Sequence, residues 1–205
     1  SFGMEVVSGI IMGLDTDKPQ TGDALISFVE ESRIPLLTIN LLQALPKTPL
    51  WDRLEKAGRL VHDDGRDSNV EFLLPYEDVV SSWRKCMEIA YEPKKLFERY
   101  LHQCNYTYAN RIKVPVSPEM KSWANIRRGL IMLRNIFWKV GVLGDYRRVF
   151  WKFALGRLKR GDIEGLISAT LVAHHLITFA RAASSGRQNA SNYSIRLREA
   201  SVPAE

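Results

Sequence analysis

Two apolar runs of strand length, VVSGIIMGL at 6–14 and IPLLTINLL at 34–42, flank a single amphipathic stretch. Each is apolar at nearly every position instead of every second one, the pattern of a strand covered on both faces of a parallel sheet. The stretch between them predicts a helix from Pro19 or Thr21 to about Glu31, with Ala24, Leu25, Phe28 and Val29 facing inward. Ser32 and Arg33 then make an ordinary helix-to-strand turn. Gly9 and Gly13 interrupt the first run, and glycine inside a strand marks close approach by a ligand or another backbone. Asp15, Thr16 and Asp17 follow at the carboxyl end of that strand, where α/β sheets place their ligands. The chain opens directly on this strand, so residues 1–62 are expected to be the closing part of a longer α/β domain.

After the second strand the pattern becomes helical. Thr48 caps a helix with Pro49 at its first position, and Gly58 ends it in the left-handed conformation. A polar loop at 62–70 leads past Pro75 into a helix with an apolar stripe of Val79, Val80, Trp83, Met87 and Ala90. Pro93 opens another, carrying Leu96, Phe97, Tyr100 and Leu101. A linker is expected over 105–118, since Pro115 and Pro118 disfavour regular structure. The helix expected over 118–140 places Trp123, Ile126, Leu130, Leu133, Phe137 and Val140 three or four residues apart, a narrow seam for packing on another helix. Gly141 and Gly144 break it. Helices over 146–159 and 163–183 form a hairpin turning at Gly161 and Asp162, and a polar tail follows. The expected fold class is therefore α+β, mainly α, with two βα units followed by a helical domain. The expected parts are 1–62, a connecting segment 63–104, a basic helical domain 105–183 and a tail 184–205.

Charge separates these parts. Residues 105–160 contain thirteen Lys and Arg against Glu119 and Asp145, a net +11 in a chain whose total is +6, so the remainder carries −5. The two cysteines, Cys86 and Cys104, have neither disulfide-framework nor metal-ligand spacing, and a reducing cytoplasm is expected. The first residues lack the basic and apolar segments of a secretory signal. No unbroken apolar run approaches the roughly 18 residues of a spanning helix.

The first strand carries the sharpest motif. Gly9, Ile11 and Gly13 match the GxIxG core of the fifth-strand motif of radical S-adenosylmethionine barrels, whose trailing acidic position falls on Thr16, between Asp15 and Asp17. The stretch NLLQALPKTPLWDRLEKAGRL resembles the segment after the sixth strand in cobalamin-binding radical S-adenosylmethionine proteins. Their usual PGTPL-type turn reads here Pro46-Lys47-Thr48-Pro49-Leu50. The continuation, from Asn69 to Pro75 and through Tyr91-Glu92-Pro93, resembles the C-terminal extension of a subset of these enzymes. Within it the chain is most similar to bacterial methylases acting on hopanoids, with bacteriochlorophyll-type methylases as relatives.

The resemblance implies a TIM-type barrel whose last part is residues 1–62, with Gly9, Ile11 and Gly13 lining the adenine of S-adenosylmethionine. It also implies a [4Fe–4S] cluster held by a CxxxCxxC loop, and cobalamin as methyl donor. In such an enzyme a 5′-deoxyadenosyl radical abstracts hydrogen from an unactivated carbon. This chain has no CxxxCxxC loop, so alone it is expected to hold no cofactor and to be inactive. Its first expected partner is an N-terminal part of the same polypeptide.

Other residues admit two readings. Asn40 and Gln43, at the carboxyl end of the second strand, suit substrate contact or loop stabilisation equally. His174 and His175 are adjacent, not three or four apart, and a structural role is favoured. Asp63-Asp64-Gly65-Arg66-Asp67 lacks the closing glutamate of a calcium loop and reads as a solvated turn. No metal site is expected, and catalytic residues are not identified. In the basic region, Arg127, Arg128, Arg134, Arg147, Arg148 and Lys152 interleave with Trp and Phe. The first reading is an aromatic core in a solvated basic shell; the second is an anionic membrane surface. The second reading places the protein in the cytoplasm, peripheral to the inner face of the membrane. No nucleic-acid motif accompanies these cations, and no such partner is expected. The exposed edges of the two strands are candidates for self-association. The alternative to a methylase is thus a non-catalytic basic helical module binding anionic membrane or a partner protein.

Overall fold

The computed structural model describes residues 3–62, 65–108 and 122–185. Among them are two strands in one parallel sheet and seven α-helices, the α+β, mainly helical architecture expected. The described residues form two compact units, one of residues 8–31, 37–62, 65–90 and 179–185, the other of 3–7, 32–36, 91–108 and 122–178.

The first unit is built on β1 (Val7–Met12), α1 (Thr21–Ser32), β2 (Leu36–Leu41), α2 (Pro49–Lys56) and α3 (Tyr76–Ala90). The start and stop signals of α2 act as read. The Thr48 hydroxyl accepts from the Trp51 N–H, and Gly58 takes φ +66°. Arg59 N–H then bonds the Leu54 carbonyl at 2.9 Å and Gly58 N–H that of Glu55 at 3.0 Å, satisfying carbonyls at the helix end. The stripe on α3 is buried, with Cys86 added. Its Trp83 indole donates to the Ile39 carbonyl on β2 at 2.9 Å.

The inward face of α1 is Gly22, Leu25 and Val29, while Ala24 and Phe28 are exposed. The cause is a close approach. A Cβ on Gly22 would lie 2.1 Å from Ser82 Oγ, and the Gly22 carbonyl accepts from Cys86 Sγ at 3.4 Å. That contact fixes the rotation of α1 and carries Phe28 outward.

β1 departs further from expectation. Val7, Gly9 and Ile11 are exposed and only Met12 is buried. The sheet has two strands, so β1 is paired on one edge and open on one face. Its apolar run exceeds what the described residues cover.

The second unit holds α4 (Pro93–His102), a π-helical turn (Gln103–Thr107), α5 (Trp123–Ile136), a second π-helical turn (Phe137–Val142) and α6 (Arg147–Lys159). It also takes α7 (Ile163–Ser184) as far as Thr178. Phe97 packs on Phe153 and Tyr146, ring centroids 5.3 and 6.2 Å apart, and Phe150, Leu166, Ala173 and Ile177 are buried with them.

The expected linker does not begin at Asn105, because α4 continues as the first π-helical turn. There the Asn105 side-chain oxygen accepts from Arg157 at 2.9 Å and also from Arg160. Arg157, only 3% exposed, pairs with Asp162 at 3.0 Å across the turn where Gly161 takes φ +68°. One buried guanidinium thus ties the end of α4 to the α6–α7 turn. The rest of that linker, the expected start of α5 at 118 and the tail beyond 185 lie outside the described residues.

The seam on α5 is engaged at one end only. Val140 is buried and Leu133 and Phe137 half-buried, whereas Trp123, Ile126 and Leu130 are exposed. Packing at the second π-helical turn explains the asymmetry. Phe137 stacks on Trp151 at 5.5 Å, and the Trp151 indole donates to the Gly141 carbonyl at 2.9 Å. A Cβ on Gly141 would meet Phe150 and Trp151 at 3.0 and 3.1 Å, so the backbone itself sits against these rings.

By length and composition α7 is apolar enough to cross a membrane. Its apolar run is interrupted by Ser168, Thr170, His174 and His175. Leu166, Ala169, Thr170, Ala173 and Ile177 are buried in the manner of a core helix. Both cysteines are free and buried, and burial pushes the Cys86 thiol up to about 11 and raises that of Cys104.

Candidate functional site

Alternation along two paired strands decides which side chains share a face. On β1 it groups Gly9 with Ile11, and on β2 it groups Thr38 with Asn40. A Cβ built on Gly9 would lie 3.5 Å from Thr38 Oγ1, which puts the two groups on the same side. Gly9, Ile11 and Thr38 are exposed and Asn40 half-buried, while Leu37, Ile39 and Leu41 on the other side are buried. The result is an open face with an apolar floor at Ile11, a flat backbone at Gly9 and two polar side chains beside it. Thr38 carries no motif, although the alternation in LLTINL places it with Asn40.

Beyond β1 the polar loop is tightly held. The Asp17 carboxylate accepts from the N–H groups of Gly13 at 2.7 Å and Leu14 at 3.1 Å. The carboxylate closing this strand end thus comes from Asp17, one residue after the position expected to be acidic. Asp15 pairs with Arg59 at 2.8 Å and Arg53 at 3.3 Å. The hydrogen bond from Arg59 outweighs partial burial and, with the charges of Arg59 and Arg53, holds the Asp15 carboxyl below its ordinary value.

Gly13 differs from Gly9. It takes φ +94°, and a Cβ there would fall 2.5 Å from the Phe72 ring. Its missing side chain is used by the chain's own packing. Gln43 is likewise engaged, donating to the Asp67 carbonyl at 2.7 Å and accepting from Asn69 N–H at 3.3 Å. Asn69 in turn grips both backbone groups of Ala44, at 2.9 and 2.8 Å. Of the five residues singled out for cofactor or substrate, Gly9, Ile11 and Asn40 therefore share the open face. Gly13 and Gln43 shape its rim.

The second position of the PKTPL turn is conformationally special. Lys47 takes φ +65°, a left-handed conformation costing an L-residue roughly 1 kcal/mol. Lys47→Gly is expected to raise stability by about 0.5–1 kcal/mol in urea unfolding, the relief of strain being partly offset by chain entropy.

Among the described residues no group of three or more His, Cys, Asp or Glu could hold a metal ion. His174 Nδ1 and the Tyr146 hydroxyl share a hydrogen bond of 2.6 Å, the structural role favoured for it. Asp63 and Asp64 lie outside the described residues. The six cations singled out are all exposed, but their surroundings differ. On α6, Arg147, Arg148 and Lys152 accompany buried Phe150 and Phe153, an aromatic core with a basic shell. On α5, Arg127, Arg128 and Arg134 accompany apolar residues that are themselves exposed.

A βα pair with an open glycine face, followed by a helical unit, is the class of architecture these residues define. The chain belongs to the family described as Domain of unknown function (DUF4070), whose model matches residues 48–189. It is similar to the Hopanoid C-2 methylase of Rhodopseudomonas palustris, 64% identical over 205 residues, which is 100% of this chain and 39% of that protein. It is also similar to an uncharacterized methyltransferase of Synechocystis sp., 30% identical over 179 residues, covering 84% of this chain and 32% of the relative. The chain thus spans about a third of the length of the relatives it matches. No solved structure matches it significantly.

Proposed function

We propose that this chain forms part of a cobalamin-dependent radical S-adenosylmethionine methylase acting on a hopanoid-type lipid, with the open face of β1 and β2 as one wall of the adenine site. The carrying observation is 64% identity along the whole chain to a hopanoid methylase. The open face supports the same reading. Among the described residues a Cβ at Gly9 would meet only Thr38 within 4 Å, so none of them requires glycine there. A planar ring laid against the backbone does require it, since any side chain would lift it away. Ile11 offers the ring an apolar contact, and Thr38 and Asn40 offer hydrogen bonds to its edge nitrogens.

S-adenosylmethionine, when bound, supplies the chemistry that activates an unreactive carbon. The described residues do not fit the iron–sulfur cluster that cleaves it. Cys86 and Cys104 are buried, with thiols raised and not lowered, and lie in different units. The cluster ligands are therefore assigned to other parts of the enzyme, and this chain's part is to bind and orient.

The test is Gly9→Val in a methylase containing this chain. S-adenosylmethionine affinity is expected to fall about 10- to 100-fold, the scale of a few misplaced methyl groups in a binding pocket. Asn40→Ala should cost about fivefold, one hydrogen bond. Wild-type affinity in Gly9→Val would remove the adenine from this face.

A further inference from the structure

We propose that the exposed face of α5 and the turn that continues it is a docking surface for an anionic lipid bilayer. Of the fourteen residues of α5 only Ile136 is buried, although the helix is rich in large apolar side chains. Trp123 is 75% exposed, Leu130 57% and Trp138 60%, with Ile126, Ile131 and Met132 also exposed. Beside them Leu130, Leu133, Arg134, Asn135, Phe137 and Trp138 line an open groove of about 750 Å³. Contiguous apolar surface of this kind marks a site of interaction.

Charge decides what covers it. Residues 122–144 contain Arg127, Arg128, Arg134 and Lys139 and no Asp or Glu. None of the four pairs with a carboxylate among the described residues. The centre of a protein interface is depleted of charge, yet here helical spacing sets Arg127 and Arg134 in the same arc as Trp123 and Leu130. At a bilayer the mixture is favourable. Arginine stems lie along the apolar surface while their guanidinium groups reach lipid phosphates, and Trp settles at the headgroup boundary. At its C-terminal end the helix is anchored in the unit by buried Ile136 and, in the turn that continues it, Val140. The α6 helix supplies the contrast, because the phenylalanine rings among its cations, Phe150 and Phe153, are buried. The proposal rests on this face alone and stands apart from the methylation chemistry.

The full chain is mixed with vesicles of phosphatidylcholine, with and without phosphatidylglycerol, and partitioning is measured by sedimentation across a salt series. Binding is expected to be at least about tenfold tighter to the anionic vesicles and to weaken with salt. Arg127→Ala and Arg134→Ala should each weaken it about fivefold, the effect of one cation near an anionic surface. Leu130→Asp should weaken it at least about tenfold, by removing apolar area and adding a repelled charge. Leu155→Asp, at an exposed leucine on α6, should change it less than Leu130→Asp. Circular dichroism checks that each variant stays folded; all these sites are exposed. Equal partitioning to both vesicles, or wild-type binding by Leu130→Asp, would overturn the proposal. So would self-association through this face without vesicle binding, which would assign it to a second copy of the chain.

Discussion

Gly13→Ala is expected to destabilise the βα unit by about 3 kcal/mol, read as a lowered midpoint in urea unfolding. Two costs combine. Alanine at φ +94° is strained by roughly 1–3 kcal/mol. Its Cβ would also lie 2.5, 2.9 and 3.0 Å from three atoms of the Phe72 ring. That ring is buried and stacked on Tyr76 at 5.7 Å with planes 8° apart, so it has little freedom to withdraw, and overpacking typically costs about 1–3 kcal/mol. The two costs separate in a Phe72→Leu background, where the clash is relieved and Gly13→Ala should cost about 1–2 kcal/mol. Gly9→Ala should move stability by no more than about 0.5–1 kcal/mol, and upward, since a strand favours alanine over glycine and the new Cβ meets Thr38 at an ordinary 3.5 Å. Opposite signs at two glycines of one motif would show that the chain's own packing depends on Gly13 and not on Gly9. A cost below about 1 kcal/mol at Gly13 would mean that Phe72 does not depend on it.

That contrast marks the limit of what the sequence discloses. The spacing of Gly9, Ile11 and Gly13 locates a backbone that something approaches, but not whether the neighbour is a cofactor or a phenylalanine 59 positions later. Local chemistry is legible because its causes are local. Thr48, Pro49 and Gly58 act through their own backbone groups, and the α2 boundaries follow from them. The turn at Gly161 and Asp162 is legible for the same reason. Facing is another matter. The rotation of α1 is set by the approach of Ser82 to Gly22, a contact between helices that no periodicity within α1 encodes. The seam on α5 is real as spacing, yet spacing states only that residues share a face, not that a second helix lies on it. The paired acids after β1 are visible in sequence. Their division of labour, Asp17 folding back on the strand and Asp15 reaching Arg59, depends on the Arg59 guanidinium, which also grips the Glu71 carbonyl at 2.9 Å.

The position of β2, and with it the spacing of Thr38 and Asn40 beside Gly9, depends on what holds the buried side of the strand. Trp83 is the main candidate. It is 1% exposed, lies at the middle of the α3 stripe and donates from its indole to the Ile39 carbonyl. Trp83→Ala is expected to cost about 4 kcal/mol, the loss of a large buried ring and the cavity left behind. Trp83→Phe keeps most of the ring and loses the donor, and should cost about 1–2 kcal/mol. Urea unfolding of the two variants therefore tells packing from hydrogen bonding. If Trp83→Phe costs as much as Trp83→Ala, the indole bond to β2 is what holds helix to strand. If both cost little, α3 is held by Val80 and Met87 instead, and the open face has a broader footing than one side chain. On the methylase reading cofactor affinity follows the same order. Trp83→Ala lets β2 shift and carries Thr38 and Asn40 away from Gly9, whereas Trp83→Phe keeps the strand in place and with it the wall on which the adenine rests.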